Sequence, residues 1–87
     1  MKLIRISAIW CPACLIMRPR INDILKDYPD IESIEYDYDI DDISNFNVGD
    51  ILPVFILQDE NREVLRIIGE KSENYIKDLL KEYVKWN

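Results

Sequence analysis

Trp10-Cys11-Pro12-Ala13-Cys14 holds both cysteines of an 87-residue chain that contains no histidine. The residues before it, 3–9, are apolar at nearly every position, which predicts a strand covered on both faces. From Cys11 to about residue 27, apolar side chains recur at helical spacing, and Pro12 suits the first helical position. The two thiols are therefore predicted to lie where a central strand leads into the N-terminus of a helix.

A second strand and a short helix are predicted next. Residues 31–38 alternate apolar and polar side chains, which indicates a strand with one buried face. A strand, a helix and a second strand in this order form a right-handed unit whose two strands are parallel. Residues 39–48 are acidic but place Ile40, Ile43 and Phe46 at a spacing of three, which favours a short helix against the sheet.

The last part of the chain predicts an antiparallel hairpin and a final helix. Pro53 opens the apolar strand 54–57, residues 58–61 are typical of a turn, and residues 63–68 return as a strand. Gly69 ends this strand, and Ser72 is the candidate N-cap of the last helix. The predicted inward stripe of that helix consists of Tyr75, Ile76, Leu79, Leu80, Tyr83 and Val84.

Length and composition predict one globular domain over residues 1–87. The hydrophobic fraction of 48% is ordinary for such a domain. A net charge of −6 repels phosphate backbones and anionic membranes, which argues against nucleic acid or a membrane as partner. No apolar run approaches the roughly 20 residues that cross a bilayer, and the first residues show no signal-peptide pattern. We therefore expect a cytoplasmic protein that acts as a monomer.

The cysteine pair admits three interpretations. A structural disulfide that closes so small a ring adds only about 2 kcal/mol, and a cytoplasmic chain hardly keeps it oxidised. A metal site is incomplete in one chain, because zinc prefers four protein ligands or three plus water. A zinc or iron–sulfur centre would need Cys11 and Cys14 from two copies, so we expect no metal in a single chain. Dithiol–disulfide exchange remains as the third interpretation.

Exchange gives the spacing of the two thiols a physical reason. Cys11 falls at a helix N-terminus, where unpaired N–H groups and the helix dipole favour the thiolate, with pKa values of roughly 3.5–7.5. Cys14 lies one turn further in and is expected to be more buried. Cys11 is then the nucleophile that attacks a partner's disulfide, and Cys14 is the resolving thiol that releases the reduced partner. The Cys11–Cys14 disulfide is the only redox group needed, and an upstream reductant must reopen it.

The chain resembles the thioredoxin superfamily over nearly all 87 residues. The matching motifs are Trp10-Cys11-x-x-Cys14, Pro19 in the following helix, Leu52-Pro53 before the hairpin, Gly69 after it and Ser72 before the last helix. The resemblance implies a minimal α/β thioredoxin fold (β-α-β-α-β-β-α) with a four-stranded mixed sheet in the order 2-1-3-4. It places the first and last helices on one face of this sheet and the short segment on the other.

The resemblance also implies an activity and its partners. The expected activity is that of a protein disulfide oxidoreductase, a thioredoxin-like enzyme in electron transport and cell redox homeostasis. Its expected partners are a disulfide-bearing protein substrate and an upstream reductase. Two alternatives stay open: a metal or iron–sulfur carrier bridged across a dimer by Cys11 and Cys14, and a binding module that has kept the fold without the chemistry. Metal content and absorption of the purified protein would discriminate the first alternative.

Substrate-binding positions also follow from the resemblance. The Leu52–Pro53 bond is expected to be cis and to pack beside the cysteines, while the backbone of Leu52 would bind an extended peptide. Trp10 would form the rim of the same groove and residues 68–69 would line it. The predicted substrate-binding residues are Trp10, Pro12, Leu52, Pro53, Ile68 and Gly69.

Two departures from the family pattern are informative. Leu52-Pro53-Val54 and Gly69-Glu70-Lys71 differ from the motifs with which glutaredoxins hold glutathione, which argues against a glutathione site. Thioredoxins also carry a buried aspartate six positions before the first cysteine, where this chain has Arg5. Arg5 would stabilise a nearby thiolate and make the pair more oxidising, or it would form an ion pair with Glu35, Asp37 or Asp39 on the neighbouring strand.

Overall fold

A computed structural model describes residues 1–84 of the chain, so residues 85–87 of the predicted domain lie outside the described part. The elements are β1 (Lys2–Ser7), α1 (Pro12–Leu25), β2 (Glu32–Asp37), a 3₁₀ turn (Ser44–Phe46), β3 (Val54–Asp59), β4 (Arg62–Ile68) and α2 (Glu73–Tyr83).

The four strands form one mixed sheet in the order β2-β1-β3-β4, as predicted. β1 and β2 are parallel, and β1–β3 and β3–β4 are antiparallel pairs. In this register Ile4 of the central strand lies between Ile34 of β2 and Ile56 of β3. The two central strands, β1 and β3, each hold four consecutive buried residues because both of their faces are covered.

Each face of the sheet carries its own apolar cluster. On one face α1 and α2 pack together over the sheet, as predicted. The buried members of this cluster are Leu3, Met17, Ile21, Ile24, Phe55, Leu57, Ile67, Ile76, Leu80 and Val84. On the other face Ile43, Phe46 and Val48 of the short segment pack against a cluster that includes Ile4, Ile6, Val54 and Ile56. The predicted two-sided arrangement is therefore confirmed.

The helix predicted for residues 39–48 is wrong except for the single 3₁₀ turn. Aspartate side chains before that turn bond to nearby backbone N–H groups instead: Asp37 accepts from the Asp39 amide at 2.8 Å, and Asp42 accepts from the Ser44 amide at 3.0 Å. Such local bonds compete with helix formation. Ile40, predicted to face the sheet, is 81% exposed.

Arg66 fastens this short segment to the sheet. Its guanidinium donates to the carbonyl oxygens of Phe46 at 2.6 Å and Asn47 at 3.2 Å, and it also pairs with Glu63 on its own strand. Asn47 adopts a left-handed conformation with φ of 54°, which ends the 3₁₀ turn. One arginine of β4 thus satisfies the carbonyl groups that the end of this turn leaves unpaired.

Other predicted boundaries differ from the structure. β1 ends at Ser7, and α1 ends at Leu25. The hairpin turn is only Glu60-Asn61, whose φ values of 52° and 66° are those of a type I′ turn, so both strands extend further toward it than predicted. In the stripe of the last helix, Tyr75 and Tyr83 are exposed rather than buried.

Candidate active site

Cys11 is the N-cap of α1. Its backbone is extended, with φ of −98° and ψ of 107°, and Pro12 occupies the first helical position, where no N–H group is needed. The amide of Cys14 donates to the Sγ atom of Cys11 at 3.1 Å. The first turn of the helix therefore aims an N–H group, which it shares with the carbonyl oxygen of Cys11 at 3.2 Å, at this sulfur. Such a donor favours negative charge on the sulfur once the disulfide is reduced.

Cys11 and Cys14 are joined in a disulfide, with their Cα atoms 5.3 Å apart. Their residues are only 5% and 6% exposed, and they belong to the apolar cluster that includes Leu52 and Val54. The prediction that Cys14 is more buried than Cys11 is therefore wrong for this oxidised form. The bond turns both sulfurs toward each other and the N-cap turn folds Cys11 inward, so both residues are equally covered.

The Leu52–Pro53 peptide bond is cis, as expected from the resemblance. Pro53 lines a small cavity together with Cys14, so it lies beside the cysteine pair. The amide of Gly69 donates to the carbonyl oxygen of Pro53 at 2.8 Å, which joins the loop after β4 to the start of β3. Gly69 has φ of +81°, a conformation that favours glycine.

Trp10 stands at the rim of this region and is 57% exposed. Its indole Nε1–H donates to Asp39 at 2.7 Å, and its ring meets Tyr38 edge to face with centroids 6.1 Å apart. An exposed tryptophan is thus held in one orientation beside the disulfide. Sequence reasoning placed Trp10 at the rim but missed Asp39, whose spacing in the chain gives no sign of the contact.

The remaining predicted substrate-binding residues surround the same end of the sheet. Pro12 is exposed, Ile68 is 44% exposed, and Leu52 is buried. Ile51, which was not predicted, is 62% exposed, and a Cβ atom on Gly69 would lie 3.4 Å from its Cγ2 atom. Apolar side chains therefore remain in contact with solvent on the side of the disulfide where Gly69 and Pro53 meet.

Arg5 lies on β1 with its side chain directed toward α1, and the residue is 9% exposed. Its guanidinium donates to Asn22 at 2.9 Å and to Ser33 at 3.4 Å. Burial lowers the pKa of Arg5, while the charge of Glu35 opposes this change. Arg5 forms no ion pair with Glu35, Asp37 or Asp39 among the described residues, so that alternative is wrong. A cavity of about 10 Å³ has both Arg5 and Cys14 in its lining.

The carboxylate opposite Arg5 is held by other residues. Glu35 pairs in register with Arg5 across β1 and β2, but it bonds to both terminal nitrogens of Arg18 and to the hydroxyl of Ser7 at 3.1 Å. The hydrogen bond from Arg18 is the main reason that the pKa of Glu35 is lowered. The sequence did not reveal this cluster of Glu35, Arg18 and Ser7 beside Cys14. The alternation of apolar and polar residues along β2 does not indicate which residue of α1 contacts Glu35.

The described residues limit what else the site could hold. Residues 1–84 contain no group of three or more cysteine, aspartate, glutamate or histidine side chains placed to bind a metal ion. Within the same part of the chain, none of the helices has the length and apolar character needed to span a bilayer.

Comparisons with known proteins agree with this geometry. The family model described as Thioredoxin matches residues 1–82. Thioredoxin H2 of Arabidopsis thaliana is 32% identical over 77 residues, which are 86% of this chain and 57% of that protein. The mitochondrial thioredoxin-3 of Saccharomyces cerevisiae is 32% identical over 76 residues, 83% of this chain and 60% of that protein. The chain thus spans less than two thirds of the length of these curated relatives.

Solved structures show the same architecture. The thioredoxin NaTrxh of Nicotiana alata superposes with a TM-score of 0.81 at 28% identity, covering 93% of this chain and 70% of that one. The thioredoxin of Trypanosoma brucei brucei gives a TM-score of 0.84 at 21% identity, covering 97% and 74%, and supports the fold alone. With the cysteine pair at the helix N-terminus and the cis proline beside it, the match over residues 1–82 identifies this chain as a member of the thioredoxin family.

Proposed function

We propose that this protein is a thiol–disulfide oxidoreductase that exchanges the Cys11/Cys14 dithiol with disulfides of partner proteins. The observation that carries the proposal is the position of Cys11 as N-cap, with the Cys14 amide donating to its sulfur and the Cys14 sulfur within bonding distance. A thiolate at this position attacks a disulfide sulfur, and the second thiol is already placed to resolve the product.

The reaction takes two steps. The Cys11 thiolate attacks one sulfur of the partner's disulfide, forms a mixed disulfide and releases the other sulfur as a thiolate, which takes a proton from solvent. The Cys14 thiolate then attacks the Cys11 sulfur, forms the Cys11–Cys14 disulfide and releases the second partner thiol. Two electrons pass from the dithiol to the partner. A reductase is proposed to return two electrons and reopen the bond, so no further cofactor is required.

The surroundings of the disulfide support a polypeptide as the substrate. Trp10, Ile51 and Ile68 leave apolar area exposed near the cysteines, and such area is typical of protein interaction sites. We expect an extended peptide to bind the backbone of Leu52, whose N–H and C=O groups form no loop hydrogen bond among the described residues. We place the substrate between Trp10 and Pro12 on one side and residues 52–53 and 68–69 on the other.

The proposal includes a cellular role. Relatives named as thioredoxins support a part in redox homeostasis and electron transport. A reductase rather than glutathione is proposed as electron donor, because Leu52-Pro53-Val54 and Gly69-Glu70-Lys71 differ from the glutathione-binding motifs of glutaredoxins. A cytoplasmic location suits this role, because that compartment keeps thiols reduced and Cys11 reacts only as a thiolate. The chain is proposed to act as a monomer, since one copy supplies both thiols.

Trapping the mixed disulfide tests the proposal. In the Cys14→Ser variant the second step is blocked, so a disulfide-containing protein such as insulin should remain attached through Cys11 and be released by dithiothreitol. The matched Cys11→Ser variant, which keeps only the Cys14 thiol and lacks the thiol at the helix N-cap, should form little or no adduct. Absence of any adduct with Cys14→Ser would contradict the proposal. A stoichiometric metal with thiolate absorption in the purified wild type would favour the carrier bridged across a dimer.

A further inference from the structure

The proton of the Cys14 thiol needs a path out of the protein. A thiol attacks only after it has become a thiolate, so the second step of the proposed reaction must remove this proton. Cys14 is 6% exposed and belongs to the apolar cluster with Leu52 and Val54, where desolvation disfavours a thiolate. A proton acceptor near Cys14 would remove this obstacle.

Cys14 lines two cavities. The smaller, about 10 Å³, is also lined by Arg5 and Pro53, and the larger, about 460 Å³, opens to solvent between α1 and β2. Glu35 lines both cavities, whereas Asp37 lines only the larger one. No other carboxylate of the described residues lines either cavity. Glu35 is therefore the carboxylate whose position best fits a proton acceptor for Cys14.

The carboxylate of Glu35 is fixed but not saturated. Its Oε2 atom accepts from Ser7 at 3.1 Å and from Arg18, while its Oε1 atom accepts only from Arg18 at 3.1 Å. Each carboxylate oxygen offers two lone pairs, so Oε1 keeps one acceptor site free. The side chain of Glu35 is 40% exposed, which lets a proton taken from inside pass on to solvent.

We propose that Glu35 accepts the proton of Cys14, through a water molecule in the cavity, when Cys14 resolves the mixed disulfide. This proposal rests on the proposed function. The S–H bond of Cys14 breaks, and its electron pair forms the new bond to the Cys11 sulfur. The bond between that sulfur and the partner breaks, and the partner leaves as a thiolate. The proton passes from Glu35 to solvent, from which the leaving thiolate is protonated, so charge and electrons balance.

A rival explanation needs no acceptor. The charged groups around Cys14 are Arg5 on β1, Arg18 on α1, and Glu35 and Asp37 on β2, while β3 contributes only apolar residues to the two cavities. If Arg5 and Arg18 alone stabilised the Cys14 thiolate, removing the negative charge of Glu35 would leave the second step unchanged or accelerate it. If Glu35 is the acceptor, the same change slows the step. The sign of the effect therefore separates the two explanations.

The reaction of the reduced protein with dithionitrobenzoate in a stopped-flow spectrometer measures both steps. The first release of thionitrobenzoate reports attack by Cys11, and the second reports resolution by Cys14. In Glu35→Gln we expect an unchanged first release and a second release slowed roughly 10-fold or more at neutral pH, as for loss of a general base. The second release should also become steeply pH-dependent, rising roughly tenfold per pH unit, because only the spontaneously ionised thiol then reacts.

Glu63→Gln is the matched control. It removes an equivalent arginine–glutamate pair, with Arg66, on a strand that does not line the cavities. Both releases should keep their wild-type rates in this variant. A second release in Glu35→Gln as fast as in the wild type, or faster, overturns the role of Glu35. Absence of the first release in the wild type overturns the proposed function itself, and the role of Glu35 with it.

Arg18→Gln provides a test that does not depend on the folding of Glu35→Gln. This variant keeps the carboxylate and removes the main cause of its lowered pKa. The pH below which the second release slows should therefore move upward in Arg18→Gln. If that pH is the same in both proteins, Glu35 is not the acceptor.

Discussion

The amide of Gly69 donates a hydrogen bond of 2.8 Å to the carbonyl oxygen of Pro53. This bond joins two loops that are distant in sequence and brings both beside the cysteines. It forms because Gly69 adopts φ of +81°, and a Cβ atom at this position would lie 3.4 Å from the side chain of Ile51. The position therefore limits the residue type by its backbone conformation, because a contact of 3.4 Å with the Ile51 side chain is an ordinary van der Waals distance.

Gly69→Ala should destabilise the protein by about 1 kcal/mol or more, because alanine is strained at positive φ. The measurement is the free energy of unfolding from urea titration. Gly49→Ala is the control, since no atom lies within 4 Å of the Cβ it would add and its φ needs no glycine. If the two variants have the same free energy of unfolding, alanine is not strained at position 69 and the prediction is wrong.

Arg66→Gln should loosen the short segment that covers one face of the sheet. The variant loses hydrogen bonds to the carbonyl oxygens of Phe46 and Asn47, and charged hydrogen bonds of this kind contribute roughly 1.5–3 kcal/mol each when buried, less here at partial exposure. Amide hydrogen exchange should accelerate in residues 43–48 and change little in α1. The exposed Arg62→Gln serves as the charge control, and the same acceleration in it would argue against the role of Arg66.

Arg5→Gln should make the disulfide harder to reduce. Arg5 and Cys14 share one cavity, so the cation stabilises the thiolate of the reduced form and raises the reduction potential. Without this charge we expect the potential to fall by on the order of 10–30 mV, measured by equilibration with glutathione buffers. Arg62→Gln should keep the wild-type potential. A potential that stays constant or rises in Arg5→Gln means that the charge does not reach the thiols.

Acid should remove a small part of the stability through Glu35 and Glu63. Hydrogen bonds from Arg18 and Arg66 lower the pKa of these carboxyl groups in the folded protein. A lowered pKa in the folded state stabilises the protein fully above about pH 4.3, the pKa of glutamate in the unfolded chain. This stabilisation disappears as the pH falls through the pKa of the folded state. Both pairs are largely exposed, so each contributes below about 1 kcal/mol.

Urea unfolding at several pH values checks this dependence. The decline in stability below about pH 5 should be shallower in Glu35→Gln and in Glu63→Gln than in the wild type, and the curves should run parallel above that pH. The same slope in all three proteins at acid pH would contradict the assigned pKa shifts.

Local patterns predict the fold well because they agree with one another. Pro12 begins a helix directly after Cys11, Gly69 ends β4, and Ser72 caps α2 by accepting from the Tyr75 amide. The helix predicted over residues 39–48 fails because the side chain of Asp42 takes the backbone N–H group of Ser44, which a helix would use. Spacing of apolar residues does not report such competition.

The site is only partly predictable for a different reason. The cysteines and the cis proline belong to short motifs, but burial depends on how separate elements pack. Both cysteines are covered in the oxidised form, and Arg18 of α1 bonds to Glu35 although Arg5 is the residue that pairs with Glu35 in the sheet register. Contacts between residues so far apart in sequence depend on the tertiary structure. Local patterns in a single sequence do not show which of these residues meet.

The reactivity of Cys11 in the reduced protein tests the central claim most directly. The rate of alkylation by iodoacetamide, followed by mass spectrometry from acid to alkaline pH in Cys14→Ser, gives the pKa of the Cys11 thiol. The account predicts a value in the range of roughly 3.5–7.5 found for thiols at helix N-termini. A pKa at or above about 8.5, the value of an ordinary cysteine, would contradict it.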